Sequence, residues 1–244
     1  MVMPPVPKPS APRSGRSRTL VIALAVAGVI VAALIAGSVL LTRGGGDTAS
    51  TTGTGNAPVA LVAGIPQQGT LLGNPEAAVR MLQFEDIQCP VCKTYTDDAF
   101  PAIVEEYVRP GRVRLDYRGL AFLGPDSDKA LRIAVAAGFQ NKLWEVVGLF
   151  YENQGEENTG WVTDELIDEI LAQVPGLDAA KVKADATGPA VTKEITAVKA
   201  EGEALAVSGT PSFFIVSGVN KPYQLQVPLT PEAFRAALDD ALKG

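Results

Sequence analysis

Residues 78–92 read AVRMLQFEDIQCPVC, and this stretch decides the fold. Its first part, residues 78–85, is short and rich in apolar side chains, which predicts a largely buried β-strand. The strand runs directly into Cys89-Pro90-Val91-Cys92, where Pro90 favours the first turn of a helix. Two cysteines three residues apart share one face of a helix, close enough to form and break a small disulfide. The stretch therefore predicts a reversible dithiol at a strand-to-helix junction.

The residues that follow continue this helix and lead to a second strand. The helical pattern extends to Val108 with a kink predicted at Pro101, and Pro110-Gly111 ends it. Residues 113–117 alternate apolar and charged side chains, which is typical of a strand. We therefore expect a strand, a helix and a parallel strand joined by a right-handed crossover.

In the second half of the chain, the predicted secondary structure changes first to helices and then back to strands. Residues 126–207 show helical periodicity throughout, which predicts an all-helical insert with internal boundaries that the sequence defines only loosely. Strands are predicted again at Ser212–Ser217 and at residues 223–227, followed by a last helix that Thr230-Pro231 opens. The buried face of that last helix is predicted to consist of Phe234, Leu238 and Leu242.

Composition excludes several classes of function. The chain of 244 residues has two cysteines and no histidine, so a cysteine-rich zinc site cannot form and the usual general base is missing. Zinc hydrolases and Ser-His-Asp hydrolases are thereby excluded, and no metal site is predicted. Five of the 21 basic residues but only one of the 27 acidic residues precede Val59, so the remaining chain has ten more acidic than basic residues. This charge is of the wrong sign for binding nucleic acid.

The N-terminal part predicts a membrane anchor. Residues 20–41 carry no charge and, at about 1.5 Å per residue, reach roughly 30 Å as a helix, the thickness of a bilayer core. A cleaved signal peptide would have a shorter apolar stretch and a small-residue cleavage site, so an uncleaved signal anchor is preferred. The basic residues before the span keep the N-terminus in the cytoplasm by the positive-inside rule. These residues are Lys8, Arg13, Arg16 and Arg18.

The chain is thus predicted to have four parts. Residues 1–19 form a disordered cytoplasmic tail that is rich in proline, and residues 20–42 form the transmembrane signal anchor. Residues 43–58 form a flexible linker of small and polar residues. Residues 59–244 form the extracytoplasmic domain, which places the protein in the cell membrane as a single-pass protein.

Three motifs together resemble the DsbA-like thiol:disulfide oxidoreductases of bacteria, a family of the thioredoxin superfamily. They are LGNPEAA at residues 72–78, Phe84-x-Asp86-x-x-Cys89-Pro90-x-Cys92, and GTPSFF at residues 209–214. The resemblance covers roughly residues 65–244. It implies an α/β thioredoxin fold with an inserted helical domain at about 126–207, here preceded by one N-terminal transmembrane helix.

The resemblance also implies roles for four residues. Cys89, at the helix N-terminus, is expected to be the nucleophile, because the helix dipole and free N–H groups favour its thiolate. Cys92 is expected to be the shielded resolving thiol; the alternative is a static disulfide or a pair of core thiols. Thr210-Pro211 is expected to form a cis peptide facing the dithiol, with the backbone of Thr210 pairing with an extended substrate. The alternative is an ordinary proline that opens a strand.

The two residues between the cysteines tune the redox potential in this family. Here they are Pro90 and Val91, whereas the strongly oxidising members have a histidine in the second position. A valine side chain neither donates a hydrogen bond nor carries positive charge. We therefore expect less stabilisation of the thiolate, and a less oxidising couple, than in those members.

A second departure concerns proton transfer. Six residues before the first cysteine, relatives commonly have a buried acid that moves protons near the resolving thiol, and this chain has Gln83. A glutamine cannot carry a proton in that way. Glu85 and Asp86 are the candidates for the role, the alternative being that they are solvated or cap the next helix.

The sequence therefore predicts a membrane-anchored extracytoplasmic thiol:disulfide oxidoreductase that donates its Cys89–Cys92 disulfide to exported proteins with cysteine pairs. It needs no other cofactor, and a membrane redox partner is expected to reoxidise the dithiol. One alternative is a disulfide reductase or isomerase of the same fold. Another is a peptide-binding module without redox turnover, which would keep its activity in a Cys89→Ser variant.

Overall fold

The computed structural model describes residues 57–218 and 221–243. The predicted tail, the predicted transmembrane anchor and most of the predicted linker lie outside these residues. Within them, no helix is long and apolar enough to cross a membrane. The last two residues of the predicted linker, Ala57 and Pro58, are not linker but begin a short helix.

In the described part of the chain, six strands form one sheet in the order β1-β2-β4-β3-β5-β6. The strands are β1 (Gln67–Gln68), β2 (Leu71–Leu72), β3 (Val79–Glu85), β4 (Val113–Gly119), β5 (Ser212–Ser217) and β6 (Tyr223–Leu225). β3 and β4 are parallel, and every other neighbouring pair is antiparallel. The predicted strand-helix-strand unit thus forms the centre of the sheet.

The apolar sequence of β3 follows from its position at the centre of the sheet. It pairs with β4 from Val79 opposite Val113 to Glu85 opposite Gly119, and with β5 on its other edge. Because both of its faces are covered, the strand reads as an almost continuous apolar run rather than an alternating one. β4 runs two residues beyond the predicted end, and β6 stops two residues before it.

Helical structure after the cysteine motif comes in three pieces. They are α2 (Pro90–Asp98), α3 (Phe100–Ile103) and a π-helical segment (Val104–Val108), with α1 (Ala57–Val62) preceding the sheet. The break lies at Ala99, before the predicted kink at Pro101. A proline disturbs the carbonyl four residues before it, so the interruption falls on its N-terminal side.

Five helices lie between β4 and β5, in the region predicted to be a helical insert. They are α4 (Pro125–Gly138), α5 (Leu143–Glu152), α6 (Asp164–Ala172), α7 (Ala179–Ala186) and α8 (Pro189–Ala204). α4 is the central helix of this group and packs against α5, α7 and α8. The side chains of Thr163 and Asp178 cap the N-termini of α6 and α7.

The last helix, α9 (Pro231–Ala241), covers the sheet near α3. Thr230 caps it by accepting a hydrogen bond from the backbone N–H of Ala233. Phe234 and Leu238 are fully buried as predicted, but Leu242 lies beyond the end of the helix and is only half-buried. Ala241 completes the buried face instead.

Hydrophobic side chains pack on both faces of the sheet. On one of these faces, polar side chains follow at the C-terminal end of β3. Along β3, Met81 faces the larger core, while Leu82 and Phe84 face a smaller one. Side chains alternate along a strand, so Gln83 and Glu85 share the face of Met81. Both are buried, which places an amide and a carboxyl inside the protein beside the cysteine motif.

Candidate active site

The two cysteines differ in where the helix places them. Cys89 is the N-cap residue of α2 with extended backbone (φ −71°, ψ 117°), and Pro90 is the first helical residue. Cys92 lies one turn inside and is completely buried, whereas Cys89 is 6% exposed. Cys89 is thus the cysteine that a second molecule can approach.

The surroundings of Cys89 favour its thiolate. A hydrogen bond from the Cys92 thiol is the main cause that lowers the pKa of Cys89 to about 6, and burial opposes it. The side chain of Thr210 and the backbone N–H groups of Val91 and Cys92 lower the pKa further. Most Cys89 is therefore ionised at neutral pH, and the thiolate is the nucleophile in disulfide exchange.

The pKa of Cys92 is shifted in the opposite direction, upward. Burial raises the pKa of Cys92 far above that of an ordinary thiol, and the hydrogen bond to Cys89 and the nearby charge of Glu85 raise it further. A thiol of this kind holds its proton until a base removes it. The two cysteines are therefore divided into an ionised outer thiol and a protonated inner one.

The Thr210–Pro211 loop lies against the outer cysteine. The peptide bond between these residues is cis, and the Thr210 carbonyl oxygen lies 3.4 Å from the Cys89 sulfur, where it can accept a hydrogen bond from the protonated thiol. The hydroxyl of Ser212 donates to the Gly209 carbonyl at 2.8 Å, which holds the loop at the start of β5. The loop thus faces the dithiol, as the resemblance implies, while its role in binding substrate stays a prediction.

The two residues between the cysteines lie at the surface. Pro90 is exposed, and Val91 has 48% of its surface exposed. Val91 acts on Cys89 through its backbone N–H, because its side chain has no polar group. The pair presents an apolar surface beside the nucleophile, and its effect on the redox potential stays a prediction.

Asp86 is buried rather than solvated. Its carboxylate accepts four hydrogen bonds, from the backbone N–H groups of Gln88, Phe122 and Leu123 and from the Ser127 hydroxyl. The side chain is completely buried. Asp86 therefore ties the loop before Cys89 to the chain that follows β4, which is a positioning role.

Glu85 is the buried acid of the site. Its carboxylate accepts a hydrogen bond from the Tyr151 hydroxyl at 2.8 Å, and only 2% of the residue is exposed. Burial raises the pKa of Glu85 to about 8, the Tyr151 hydrogen bond opposes this, and the charge of Cys89 adds to it. Glu85 can therefore hold or release a proton near neutral pH.

Gln83, six residues before Cys89, is completely buried on β3. Its amide nitrogen donates to the Tyr95 hydroxyl at 3.0 Å, and Tyr95 itself is buried on α2. Within residues 57–218 and 221–243, its amide oxygen has no hydrogen-bond partner. Gln83 thus fixes one tyrosine and leaves one acceptor free, but it carries no proton.

Sequence reasoning missed the glutamines that hold the catalytic loop. Gln154 donates to the carbonyls of Ile87 at 2.6 Å and of Cys89 at 3.2 Å. Gln88 donates to the Ser127 hydroxyl and accepts from the backbone N–H of Asn158. No local sequence pattern predicts these contacts, because the residues that make each hydrogen bond are far apart in the sequence.

Tyr117 and Tyr151 were missed as well, although one signal was present. The alternation of residues 113–117 places Tyr117 on the same face as Val113, and the structure buries it there. Tyr151 contacts Glu85 from α5, which only the packing of the insert reveals. Within the described residues, no group of three or more His, Cys, Asp or Glu side chains is arranged to hold a metal ion.

Known proteins share this architecture. A crystal structure of oxidised BdbD from Bacillus subtilis superposes with a TM-score of 0.64 at 19% identity, covering 74% of this chain and 98% of that one. The structure of alpha-DsbA1 from Wolbachia pipientis gives a TM-score of 0.62 at 19% identity, with 71% and 90% covered. These two likenesses concern the fold.

Sequence comparison extends the likeness to the family. The probable disulfide bond formation protein D of Bacillus cereus is 28% identical over 154 residues, which are 62% of this chain and 71% of that protein. A family model described as Thioredoxin matches residues 66–240, which include both cysteines and the cis-proline loop. The chain therefore belongs to the thioredoxin family, as a DsbA-like thiol:disulfide oxidoreductase.

Proposed function

We propose that this oxidoreductase donates its Cys89–Cys92 disulfide to pairs of cysteines in exported proteins. The observation that carries the proposal is the lowered pKa of Cys89, about 6, at the N-terminus of α2. A thiolate stabilised in this way favours the reduced form of the pair, which makes the disulfide a better oxidant. The name of the Bacillus cereus relative, a probable disulfide bond formation protein, supports the same direction.

The geometry supports a two-step exchange. A substrate thiolate attacks the sulfur of Cys89 in the disulfide, so that a mixed disulfide forms and Cys92 leaves with the electron pair. The second substrate thiolate then attacks the substrate sulfur of the mixed disulfide, and Cys89 leaves as a thiolate. The low pKa of Cys89 makes it a good leaving group in this second step.

We propose that Thr210 and Pro211 bind the substrate segment. The Thr210 carbonyl lies 3.4 Å from the Cys89 sulfur, so a peptide whose backbone pairs with Thr210 brings its own cysteine to the nucleophile. Pro90 and Val91 form the exposed surface next to this point. They are the residues that we expect to set the redox potential of the pair.

We assign the proton transfer to Glu85 rather than to Asp86. The four hydrogen bonds of Asp86 give it a positioning role. Glu85 has a pKa of about 8, and its charge acts on Cys92, so a proton on Glu85 can neutralise the leaving Cys92 thiolate. In the reverse direction the Glu85 carboxylate takes that proton back.

The compartment and the recycling partner are proposed from the sequence. The apolar residues 20–41 are proposed to anchor the chain with its domain outside the cytoplasm, where disulfides persist. A membrane redox partner would then reoxidise the dithiol after each turnover. Protease added to intact cells should digest the domain; protection of the domain until the cells are lysed would overturn this orientation.

The donor direction is tested by mixing the oxidised full chain with an equal amount of a reduced peptide that contains two cysteines. At neutral pH most of the peptide should become oxidised, while the chain becomes reduced, as counted by alkylation and mass spectrometry. A Cys92→Ala variant has no disulfide to donate. When it is mixed with the oxidised peptide instead, its Cys89 thiolate should attack the peptide disulfide and form a detectable mixed disulfide, because no Cys92 thiol resolves it. A peptide that stays reduced at equilibrium would contradict the proposal.

A reductase or isomerase is the second candidate, and one observation favours it. The Cys89 pKa of about 6 lies between the values of roughly 7 in thioredoxin and roughly 3.5 in DsbA. We propose that Val91 causes this intermediate value, because its side chain has no polar group and only its backbone N–H interacts with the thiolate. The same peptide experiment separates the two directions, and a Cys89→Ser variant that keeps full activity would indicate a binding module instead.

A further inference from the structure

A small internal chamber lies beside Glu85. Its volume is about 20 Å³, and its lining includes the polar side chains of Gln83, Glu85, Thr96, Tyr117 and Tyr151. A water molecule needs roughly 10–15 Å³ of such space together with two to four polar partners. The chamber therefore has room for one water and the groups to bind it.

Two of these groups are unpartnered polar atoms. The amide oxygen of Gln83 and the hydroxyl of Tyr117 are buried and have no hydrogen-bond partner in the part of the chain that the structure describes. The two residues are directly paired across β3 and β4, so their side chains leave the sheet on the same face. Buried polar atoms nearly always have a partner, and one water between them would serve both.

The chamber adjoins a groove that opens to solvent. The groove has a volume of about 380 Å³, and four residues line both spaces: Thr96, Phe100, Trp144 and Gly148. The rings of Phe100 and Trp144 stack with centroids 5.6 Å apart and form an apolar wall. Thr96, half-buried on α2, is the only one of the four with a side-chain hydroxyl.

We propose that the chamber holds one water, bound by Gln83 and Tyr117, and that Glu85 exchanges its proton with solvent through this water and past Thr96. The proposal rests on the role assigned to Glu85 above and adds the route that reloads it. The free amide oxygen of Gln83 then orients the water.

The route closes the proton balance of turnover. When a substrate thiolate breaks the Cys89–Cys92 bond, the electron pair goes to Cys92 and the proton moves from the Glu85 carboxyl to that sulfur. The resulting carboxylate regains a proton from the chamber water, and that water is reprotonated from the groove. When the dithiol is reoxidised, the same proton leaves in the opposite direction.

The groups that face Glu85 define what else titrates there. They are Cys89, Cys92 and Tyr95 on α2 or its N-cap, Tyr117 on β4 and Tyr151 on α5. Burial raises the pKa of all three tyrosines, so their hydroxyls stay neutral over the working range. Near neutral pH, Cys89 and Glu85 are then the groups whose charge changes.

Tyr117→Phe is the sharpest variant, because the hydroxyl that it removes has no close hydrogen-bond partner in the described residues and interacts there only weakly with the Tyr151 hydroxyl. We expect stopped-flow reduction of the oxidised full chain by a dithiol peptide to slow about tenfold near neutral pH, with a changed solvent isotope effect. The deficit should disappear above about pH 8, where Glu85 no longer carries a proton. Tyr107→Phe, which removes a tyrosine hydroxyl outside the chamber, should leave the rate unchanged.

Thr96→Val tests the solvent side of the route without changing the volume of the side chain. It should slow the same step several-fold. Thr94→Val, at an exposed position of the same helix, should leave the rate unchanged. Rates and pH profiles of Tyr117→Phe and Thr96→Val that equal those of the unmodified chain would overturn the proposed route. If Glu85→Gln is also without effect, the role of Glu85 itself fails; if Glu85→Gln alone slows the step, only the water route fails.

Discussion

At the scale of single residues, the site separates two identical thiols by their surroundings. Cys89 receives hydrogen bonds from its partner cysteine and from the first turn of α2, and its pKa falls to about 6. Cys92 lies against the buried Glu85, and its pKa rises. The outer thiol is thus ready to attack or leave at neutral pH, while the inner one depends on a proton carrier.

The first prediction concerns the main cause of the low pKa of Cys89. Cys92→Ala removes the hydrogen bond that contributes most, so the Cys89 pKa should rise from about 6 by at least one unit or so. Thiolate absorbance and alkylation rates measured against pH give this value. Val91→Ala keeps the backbone N–H and should leave the pKa near 6; an equal shift in both variants would contradict the assignment.

The second prediction concerns how the buried Glu85 makes the free energy of unfolding depend on pH. Burial raises the folded pKa of Glu85 to about 8, above its ordinary value of 4.5, so its contribution to the stability of the reduced chain is fully present below pH 4.5 and is lost as the pH rises through 8. Glu85→Gln should remove this loss and gain roughly 3 kcal/mol over the unmodified chain near pH 7 relative to low pH.

Urea unfolding of the reduced proteins across this pH range measures the effect. Glu157→Gln, which removes an exposed carboxylate, serves as the matched control. Parallel stability curves for Glu85→Gln and Glu157→Gln would show that Glu85 does not hold its proton in the folded chain.

At the scale of elements, the helical insert fixes the catalytic loop. Asp86 binds the N–H groups of Phe122 and Leu123 just before α4, and Ser127 at the start of α4. Gln154, just after α5, holds the carbonyl of Cys89. The N-terminus of α2 is therefore positioned by the segments that flank two helices of the insert, and not only by the sheet.

The third prediction tests this anchoring. Asp86→Ala leaves four donors without their acceptor, and we expect it to lower the free energy of unfolding by at least about 3 kcal/mol. Asp97→Ala, on α2 after the motif, removes only an exposed ion pair with Lys93 and should cost less than about 1 kcal/mol. Equal losses in chemical denaturation would mean that Asp86 does not anchor the loop.

Sequence patterns predicted the elements better than their contacts. The strand at β3, the helix opened by Pro90 and the strand at Ser212–Ser217 all follow from local periodicity and proline placement. Contacts such as Glu85 with Tyr151 join residues 66 positions apart, and no local pattern encodes them. For the same reason the sequence does not distinguish Asp86, which has four hydrogen-bond donors in the folded chain, from Glu85 as a candidate for proton transfer.

At the scale of the whole molecule, the thioredoxin fold followed from the order of strands and helices and from three short motifs. The fold brings Thr210 to Cys89 across 121 positions of sequence, which the motifs implied only through resemblance. The short strands β1 and β2 escaped prediction, since two-residue strands carry no periodicity. The predicted anchor lies outside the described residues and stays a prediction.

We propose, above all, that this oxidoreductase donates its Cys89–Cys92 disulfide. The direct test of this claim is the reduction potential of the Cys89–Cys92 couple in the full chain, equilibrated with glutathione buffers and read by alkylation of the two thiols. A potential of about −180 to −120 mV is predicted, because the Cys89 thiolate stabilises the reduced form. A potential near that of thioredoxin, about −270 mV, would contradict the claim and make the chain a reductase.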